Sequence, residues 1–447
     1  MPRRLLLLSY YYPPTPSVGG VRAAGLAKYL PRFGWEATVI TPAVAGRSGT
    51  GAGTSGAAHL VETADRDTAR RLKQLIGLQP DAALKDLAAG GRAAPPTARA
   101  ARSAAIELVK ALVAFPDAHR AWARLAADAA AGAAARAAAQ AAGRGKQGTR
   151  PFDAILATSP PHSVHLGAAR AARATGLPWV ADLRDLWSTD RNSVAPAWRK
   201  RLESRLERRT FASASALVTV SEPLAAELRT LYPAIPAHAI PNGFDPELRG
   251  LASGPSKGFV LTHTGTFYQG RRDPSLLFDA LAALLAAGRL PRERVKVRLY
   301  ARHEPWVAAM AEARGLAGVV EVLPWAPREE ALRAQQESQG LLLLHWGGER
   351  EAGVFTGKIF EYLAARRPIL LIGGGEGVLA DLLRETGAGV RATTQPELEA
   401  ALSGWWEEYA RDGAVRWRGD DAAVDRYSQV RMAERFAGVL EEAAGRA

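Results

Sequence analysis

Leu5-Leu6-Leu7-Leu8-Ser9, a Pro and Gly loop, Val21 to Leu30 closed by Gly34, then Ala37-Thr38-Val39-Ile40-Thr41: this stretch decides the fold. The first run is short and apolar, the middle one repeats apolar residues at helical spacing (Val21, Leu26, Leu30), and the last alternates. Strand, helix and strand in that order build a parallel sheet. The rhythm resumes with a strand at Ala154 to Thr158, a helix from about Ser163 to Thr175 stopped by Gly176, and a strand at Trp179 to Asp182. A helix near Ala197 to Phe211, a strand at Ala216 to Val220, a helix opened by Ser221 and Pro223, and a strand at Ala237 to Ile240 complete one doubly wound domain.

Leu248 to Lys257 holds Gly250, Gly254 and Pro255 and reads as a linker. Beyond it the alternation restarts: a strand at Phe259 to Thr264, a helix from Pro274 to Ala287, and strands at Val295 to Tyr300, Val319 to Leu323, Leu341 to His345 and Ile369 to Ile372. The expected organisation is an α/β chain with two Rossmann-like, doubly wound domains facing across a cleft, over 1–247 and 258–420. A closing helix over 421–447 either stays on the second domain or crosses back to the first. Residues 43–150 break the rhythm and form a helical insertion in the first domain. Its Ala121 to Ala142 run is nearly all Ala and Arg, helical by propensity but too poor in large apolar side chains to build a core.

Composition narrows the chemistry. The chain has 447 residues with 58 Lys plus Arg against 45 Asp plus Glu, a formal charge of +13, and no Cys. Without Cys there is no disulfide framework, thiolate zinc site, iron–sulfur cluster or cysteine nucleophile. Leu5 to Leu8 is far shorter than the roughly 20 apolar residues of a membrane span or the roughly 7 to 15 of a secretion signal. The expected location is cytoplasmic, peripheral to the inner membrane face. A positive excess favours an anionic partner. No nucleic-acid motif is present, and G-x-G-x-x-G spacing is absent, which removes the main support for dinucleotide chemistry.

In open parallel sheets ligands gather beyond the carboxyl ends of the strands, so the residues just after each strand matter most. Gly353-Val354-Phe355-Thr356-Gly357-Lys358-Ile359-Phe360-Glu361-Tyr362-Leu363 is a glycine-flanked loop running into a helix that Pro368 stops. Free N–H groups at a helix start favour a phosphate, and Lys358 and Glu361, three residues apart, share one face. By spacing alone a surface ion pair is the better explanation. In the first domain Gly19-Gly20 opens a helix after a strand and permits close backbone approach. Ser159-Pro160-Pro161-His162 and Asp182-Leu183-Arg184-Asp185-Leu186-Trp187 follow other strands. Asp182, Arg184 and Asp185 must pair or meet a ligand, since bare burial of charge is costly.

At these residues the chain resembles a retaining glycosyltransferase of the GT-B fold, similar to glycosyltransferase family 4. The resemblance rests also on Tyr12-Pro13-Pro14, Gly19-Gly20-Val21-Arg22, Leu26-Ala27-Lys28-Tyr29-Leu30, Val220-Ser221 and Ile240-Pro241-Asn242-Gly243-Phe244-Asp245. It implies a nucleotide-sugar donor, a glycan or lipid-linked acceptor and no divalent metal or other cofactor. Glu361 matches the family's carboxylate for the ribose hydroxyls, whereas the earlier motif Glu is replaced by Gly353, with Glu349 or Glu351 as substitutes. Arg272, next to Arg271, matches the family's cation for the donor diphosphate, and Lys358 supplies a second charge where Thr266 replaces an Arg. Thr356 and Gly357 sit at the same helix start. Leu323 and Trp325 follow a strand where similar enzymes hold the base. Asp185 is assigned to the acceptor hydroxyl, His162 to a donor-sugar hydroxyl, and Arg184 to an acceptor phosphate or to holding Asp185. A structural Asp–Arg pair is the alternative for Asp185 and Arg184. The competing functions are a nucleotide-sugar epimerase on the same fold and a non-catalytic basic binding module.

Trp198-Arg199-Lys200-Arg201-Leu202-Glu203-Ser204-Arg205-Leu206-Glu207-Arg208-Arg209 carries six basic residues around Trp198, Leu202 and Leu206. It reads either as a helix lying on an anionic membrane or, more simply, as a sheet-packing helix with a solvated face.

Overall fold

The computed structural model describes residues 2–15, 17–44, 59–65, 115–144, 150–190, 195–252, 254–255, 257–270, 272–301, 304–345 and 352–446. The chain divides into two compact units, Met1–Ile240 with Ala433–Ala447, and Pro241–Met432.

The first unit contains β1 (Arg3–Ser9), α1 (Gly19–Tyr29), β2 (Trp35–Pro42), β3 (His59–Thr63), α2 (Arg120–Gly143), β4 (Ala154–Ser159), α3 (Ser163–Thr175), β5 (Trp179–Leu183), α4 (Ala197–Phe211), β6 (Ala216–Thr219), α5 (Glu222–Leu231) and β7 (Ala237–Ala239). Among the described residues seven strands lie in the order β3-β2-β1-β4-β5-β6-β7, and each of these pairings is parallel. The central strands are buried along their whole length and mostly apolar, as a sheet covered on both faces requires. The order reverses between β1 and β4. The loops that follow these two strands therefore diverge and leave a crevice at the sheet's carboxyl edge.

The insertion departs from expectation in two ways. It contributes β3, a strand that composition did not signal because its side chains are half-buried or exposed at the sheet edge. It also joins the core. In α2, Trp122, Ala126, Ala127, Ala130, Ala133 and Ala134 are buried within the main apolar cluster. Small side chains achieve this by close approach: a Cβ on Gly167 of α3 would lie 2.6 Å from the Ala123 carbonyl oxygen. Contact area at short interaxial distance replaces the bulk of large residues. Trp122 Nε1 donates to Thr63 Oγ1 at 2.8 Å and ties the helix to β3.

The second unit contains β8 (Phe259–Thr264), α6 (Ser275–Ala286), β9 (Val295–Tyr300), α7 (Pro305–Ala313), β10 (Val320–Leu323), α8 (Arg328–Gln336), β11 (Gly340–Leu344), α9 (Gly357–Ala365), β12 (Ile369–Ile372), α10 (Val378–Thr386), β13 (Gly389–Ala392), α11 (Gln395–Asp412), α12 (Asp421–Asp425) and the start of α13 (Gln429–Gly445). Six parallel strands run β10-β9-β8-β11-β12-β13, reversing between β8 and β11. Two apolar clusters cover the two sheet faces.

One buried ion pair ties α1 to the middle of the first sheet. Arg22 donates from Nε to Asp182 Oδ2 and from Nη2 to Asp182 Oδ1, both at 2.9 Å, and from Nη2 to the Ile240 carbonyl at 2.9 Å. Its guanidinium also lies 4.8 Å from the ring centroid of Phe436 on α13. Asp182 is fully buried, so truncating it strands a cation in a dry site. Asp182→Ala should lower stability by about 3–5 kcal/mol, read as a fall in the urea midpoint. A loss within 0.5 kcal/mol, about the usual range for surface substitutions, would show that the pair carries no structural weight.

Candidate active site

The second unit's crevice, between the loops after β8 and β11, assembles the cationic residues around α9. Tyr362 sets the geometry. Its hydroxyl accepts from Thr264 N at 3.1 Å and donates to the Leu342 carbonyl at 3.2 Å, so α9 is fastened to the end of β8 and the middle of β11. Lys358 lies one turn earlier on the same face. Its side chain folds over Gly265, the first residue past β8, where a Cβ would stand 1.9 Å from Lys358 Cε and Nζ. Gly265 has φ 137°, and its N–H donates to the Tyr300 carbonyl at 2.8 Å, so the bare backbone surface is fixed in place.

The loop from Gly265 to Asp273 turns back on itself, with Tyr268 N donating to the Arg272 carbonyl at 3.2 Å and the Arg272 guanidinium 5.9 Å from the Tyr268 ring. Arg272 therefore returns to the crevice. Burial is the largest influence on Lys358 and the Arg272 charge the next; together they bring its ammonium down to about 8, against an opposing pull from Glu361. Those three groups are thus within electrostatic reach of one another. His263, buried at the end of β8, is held neutral chiefly by burial and next by Lys358, and its Nδ1 bonds the Leu342 carbonyl at 2.8 Å.

Glu361 is half-buried and takes Nε and Nη2 of Arg328, each 3.3 Å from Oε1. Sequence spacing offered Lys358 as its ion-pair partner; the geometry gives Arg328, from the start of α8. Lys358 instead turns toward Gly265. Thr356 precedes α9 in extended conformation with no side-chain cap, and Gly357 is exposed, so the helix start presents N–H groups outward. Gly353 is buried in the β11–α9 loop, anchored where the Ala352 carbonyl accepts Val378 N at 2.8 Å. Leu323 ends β10 half-buried, and Trp325 just beyond it is 59% exposed. Arg271, Glu349 and Glu351 lie outside the described residues.

In the first unit, the crevice between β1 and β4 gathers a second group. Arg184 directs its guanidinium at three backbone carbonyls: Ser159 at 2.7 Å, Pro160 at 3.2 Å and Gly19. The Asp–Arg pair offered as the alternative for Asp185 and Arg184 does not form; the ion pair of this region joins Asp182 to Arg22. Arg184 does not hold Asp185 by a hydrogen bond; it clamps the loop after β4 to the start of α1. Gly19 and Gly20 let the start of α1 lie close against the loop after β1. A Cβ on Gly19 would lie 2.8 Å from the Tyr11 ring, and one on Gly20 3.3 Å from the Tyr12 backbone.

Asp185 projects into solvent at the rim. The low-dielectric sheet end nevertheless raises its carboxyl above the ordinary range, with Arg184 opposing. His162 stacks on Trp187, with centroids 5.6 Å apart and planes 5° from parallel. Burial lowers it to about 4 against the pull of Asp117 and Asp190, so it is neutral at ordinary pH, and its Nδ1 is buried without a partner. Asp117, which carried no sequence signal, takes Ser163 N and Oγ at 2.7 Å each and fixes the start of α3 beside His162. Tyr362, Gly265 and Arg328 were likewise missed as placing residues. Only Tyr362, four residues after Lys358, carried a usable cue.

Among the described residues no cluster of three or more His, Asp or Glu side chains is arranged to hold a metal ion. The chemistry available in the second unit is recognition of an anion by Lys358, Arg272 and a helix start, beside a carboxylate able to accept hydroxyls. Inorganic pyrophosphate should therefore raise the Tm, and Gly265→Ala, which evicts the Lys358 side chain, should abolish most of that rise. An equal rise in the variant would refute the lysine's place in the anion site.

Residues 93–248 match the family model described as Glycosyltransferase Family 4. No curated protein matches the sequence. Among solved structures the chain is similar to HepE of Anabaena in complex with UDP and glucose, at 14% identity over 98% of this chain and 99% of that one, TM-score 0.57. It is similar to sucrose-phosphate synthase from Thermosynechococcus elongatus at 12% identity over 100% of both chains, TM-score 0.60. A glycosyltransferase from Rickettsia africae matches at 11% identity over 100% of both, TM-score 0.57. At such identities the likeness is one of fold. The chain has the two Rossmann-like domains of the GT-B fold and is similar, over residues 93–248, to glycosyltransferase family 4.

Proposed function

We propose that this chain is a retaining glycosyltransferase that moves a sugar from a nucleotide-sugar donor to a hydroxyl on a glycan or lipid-linked acceptor, in cell-surface polysaccharide or glycolipid synthesis at the inner membrane face. The observation that carries this reading is the Lys358 side chain laid over Gly265, with Arg272 beside it and Glu361 on the same helix. That is a diphosphate's complement followed by a diol's. The Anabaena protein's structures with UDP and with UDP-glucose support a uridine nucleotide as the first donor class to try.

In this reading Lys358, Arg272 and the first N–H groups of α9, at Thr356 and Gly357, take the donor diphosphate. Glu361, steadied by Arg328, accepts the ribose hydroxyls, while backbone at Leu323 and the face of Trp325 meet the base. The glycosidic bond to phosphate breaks as the acceptor oxygen approaches the same face of the sugar, and the acceptor proton passes to the departing phosphate oxygen. Fixed cations in a site poor in water stabilise the charge that develops on that oxygen without reorganising solvent, so no divalent metal is required. Neutral His162 hydrogen-bonds a sugar hydroxyl, Asp185 orients the acceptor hydroxyl, and Arg184 keeps their loops in register through the carbonyls it holds. Gly353, without a side chain, makes no carboxylate contact to the transferred sugar.

Thermal shift against UDP, GDP, dTDP and ADP identifies the donor class, since a ligand of the native state raises its melting point. With the preferred nucleotide sugar, Glu361→Ala should raise the donor KM at least about tenfold, the weight of a charged hydrogen bond, and leave kcat within a few-fold. An unchanged KM would remove Glu361 from the donor site. The pH dependence has a definite sign. Lys358 is cationic below about 8 and neutral above it, so donor KM should climb as pH rises from 7 to 9, approaching tenfold per pH unit beyond the transition. Lys358→Arg, charged throughout, should flatten that climb; an equally steep profile in the variant would assign the titration elsewhere.

A further inference from the structure

We propose that the outward face of α4 is a docking surface for an anionic lipid bilayer. The helix is strongly two-sided. Glu203, Glu207, Thr210 and Phe211 are buried, and Leu206 packs against the main apolar cluster. Leu206 thus leaves the stripe that spacing had assigned it with Trp198 and Leu202. The latter two face outward, 37% and 42% exposed, among the few large apolar side chains so exposed in the described residues.

At the helical repeat, Trp198, Leu202, Arg205 and Arg209 align, with Arg201 and Arg208 alongside, so all six fall within an arc of roughly 120°. The four arginines are exposed and, among the described residues, none forms an ion pair. The basic residue that does pair, Arg199, turns inward to Glu203 at 2.8 Å and to the Pro116 carbonyl at 2.9 Å. No carboxylate lies on the outer arc. Four uncompensated cations around an indole and an aliphatic side chain complement a surface that offers both dense negative charge and an apolar layer beneath it. A nucleic-acid backbone offers the charge but nothing for Leu202, and a protein interface core is depleted of like charge.

The helix is also placed to matter. Glu207 takes Ser188 N at 2.9 Å on its inner side, which fastens α4 to the loop bearing Asp185 and Trp187. A bilayer seated on the outer face therefore lies one helix diameter from the residues assigned to the acceptor. The docking proposal deepens the reading of a membrane-borne acceptor and is tested apart from it.

The full chain is sedimented with vesicles of phosphatidylcholine alone and with vesicles containing phosphatidylglycerol, with duplex DNA as a competitor. Binding is expected only to the anionic vesicles and should weaken steeply with salt. Arg205→Ala/Arg209→Ala should weaken it about tenfold, and Trp198→Ala several-fold. The UDP-induced thermal shift should be unchanged in both variants. Equal binding to neutral vesicles, binding unaffected by the double substitution, or displacement by DNA at lower concentration than by anionic vesicles would each overturn the proposal. Vesicle binding without any nucleotide-induced shift would leave docking standing and overturn the donor reading instead.

Discussion

A lysine ammonium laid against the bare backbone of a glycine is the contact on which the second unit's chemistry rests. It requires three things at once: a helix that starts beside the end of β8, a residue without Cβ at that end, and a tether that fixes the helix in rotation. Tyr362 supplies the tether through Thr264 and Leu342. Gly265 supplies the space, and its φ of 137° is one that side-chain-bearing residues rarely adopt. Parallel topology supplies the rest, because reversal of strand order between β8 and β11 opens the crevice that these residues line.

The first unit solves a related problem with the same strand arrangement. Three charges close together at the end of β5 could not all remain unpartnered in a low-dielectric setting. They are sorted by depth. Asp182, the deepest, receives a two-pronged guanidinium from α1; Arg184, at the strand ends, meets carbonyls; Asp185, at the rim, keeps access to water. The sorting leaves one carboxylate exposed and converts the other two groups into scaffold.

Periodicity made most of this architecture legible. Strands such as Phe259–Thr264 and Ile369–Ile372 and helices such as Ser163–Thr175 stand where apolar spacing and Gly or Pro punctuation put them. Hidden were features whose signal is not local. His59–Thr63 is a strand only because β2 is there to pair with it. The α2 alanines form core only because Gly167 lets α3 come close. Partners far apart in the chain, Arg22 with Asp182 and Glu361 with Arg328, follow from topology that spacing does not encode. Lys358 and Glu361 were visible as a pair of opposite charges, but their separate destinations depend on packing around Tyr362.

Burial shapes the proton chemistry of the two units in different ways, and the difference fits the roles assigned to them. Around His162 it outweighs two nearby carboxylates and keeps the imidazole neutral, suited to hydroxyl recognition and unsuited to holding a diphosphate. Around Lys358 it stops short of neutralisation: the ammonium is weakened to about 8, close enough to ordinary pH that an approaching phosphate restores its full charge. A cation so poised responds most to the species carrying the most negative charge. In the transfer reaction proposed for this chain that species is the departing nucleoside diphosphate, and stabilisation that rises from bound donor to broken bond is the differential that such catalysis requires.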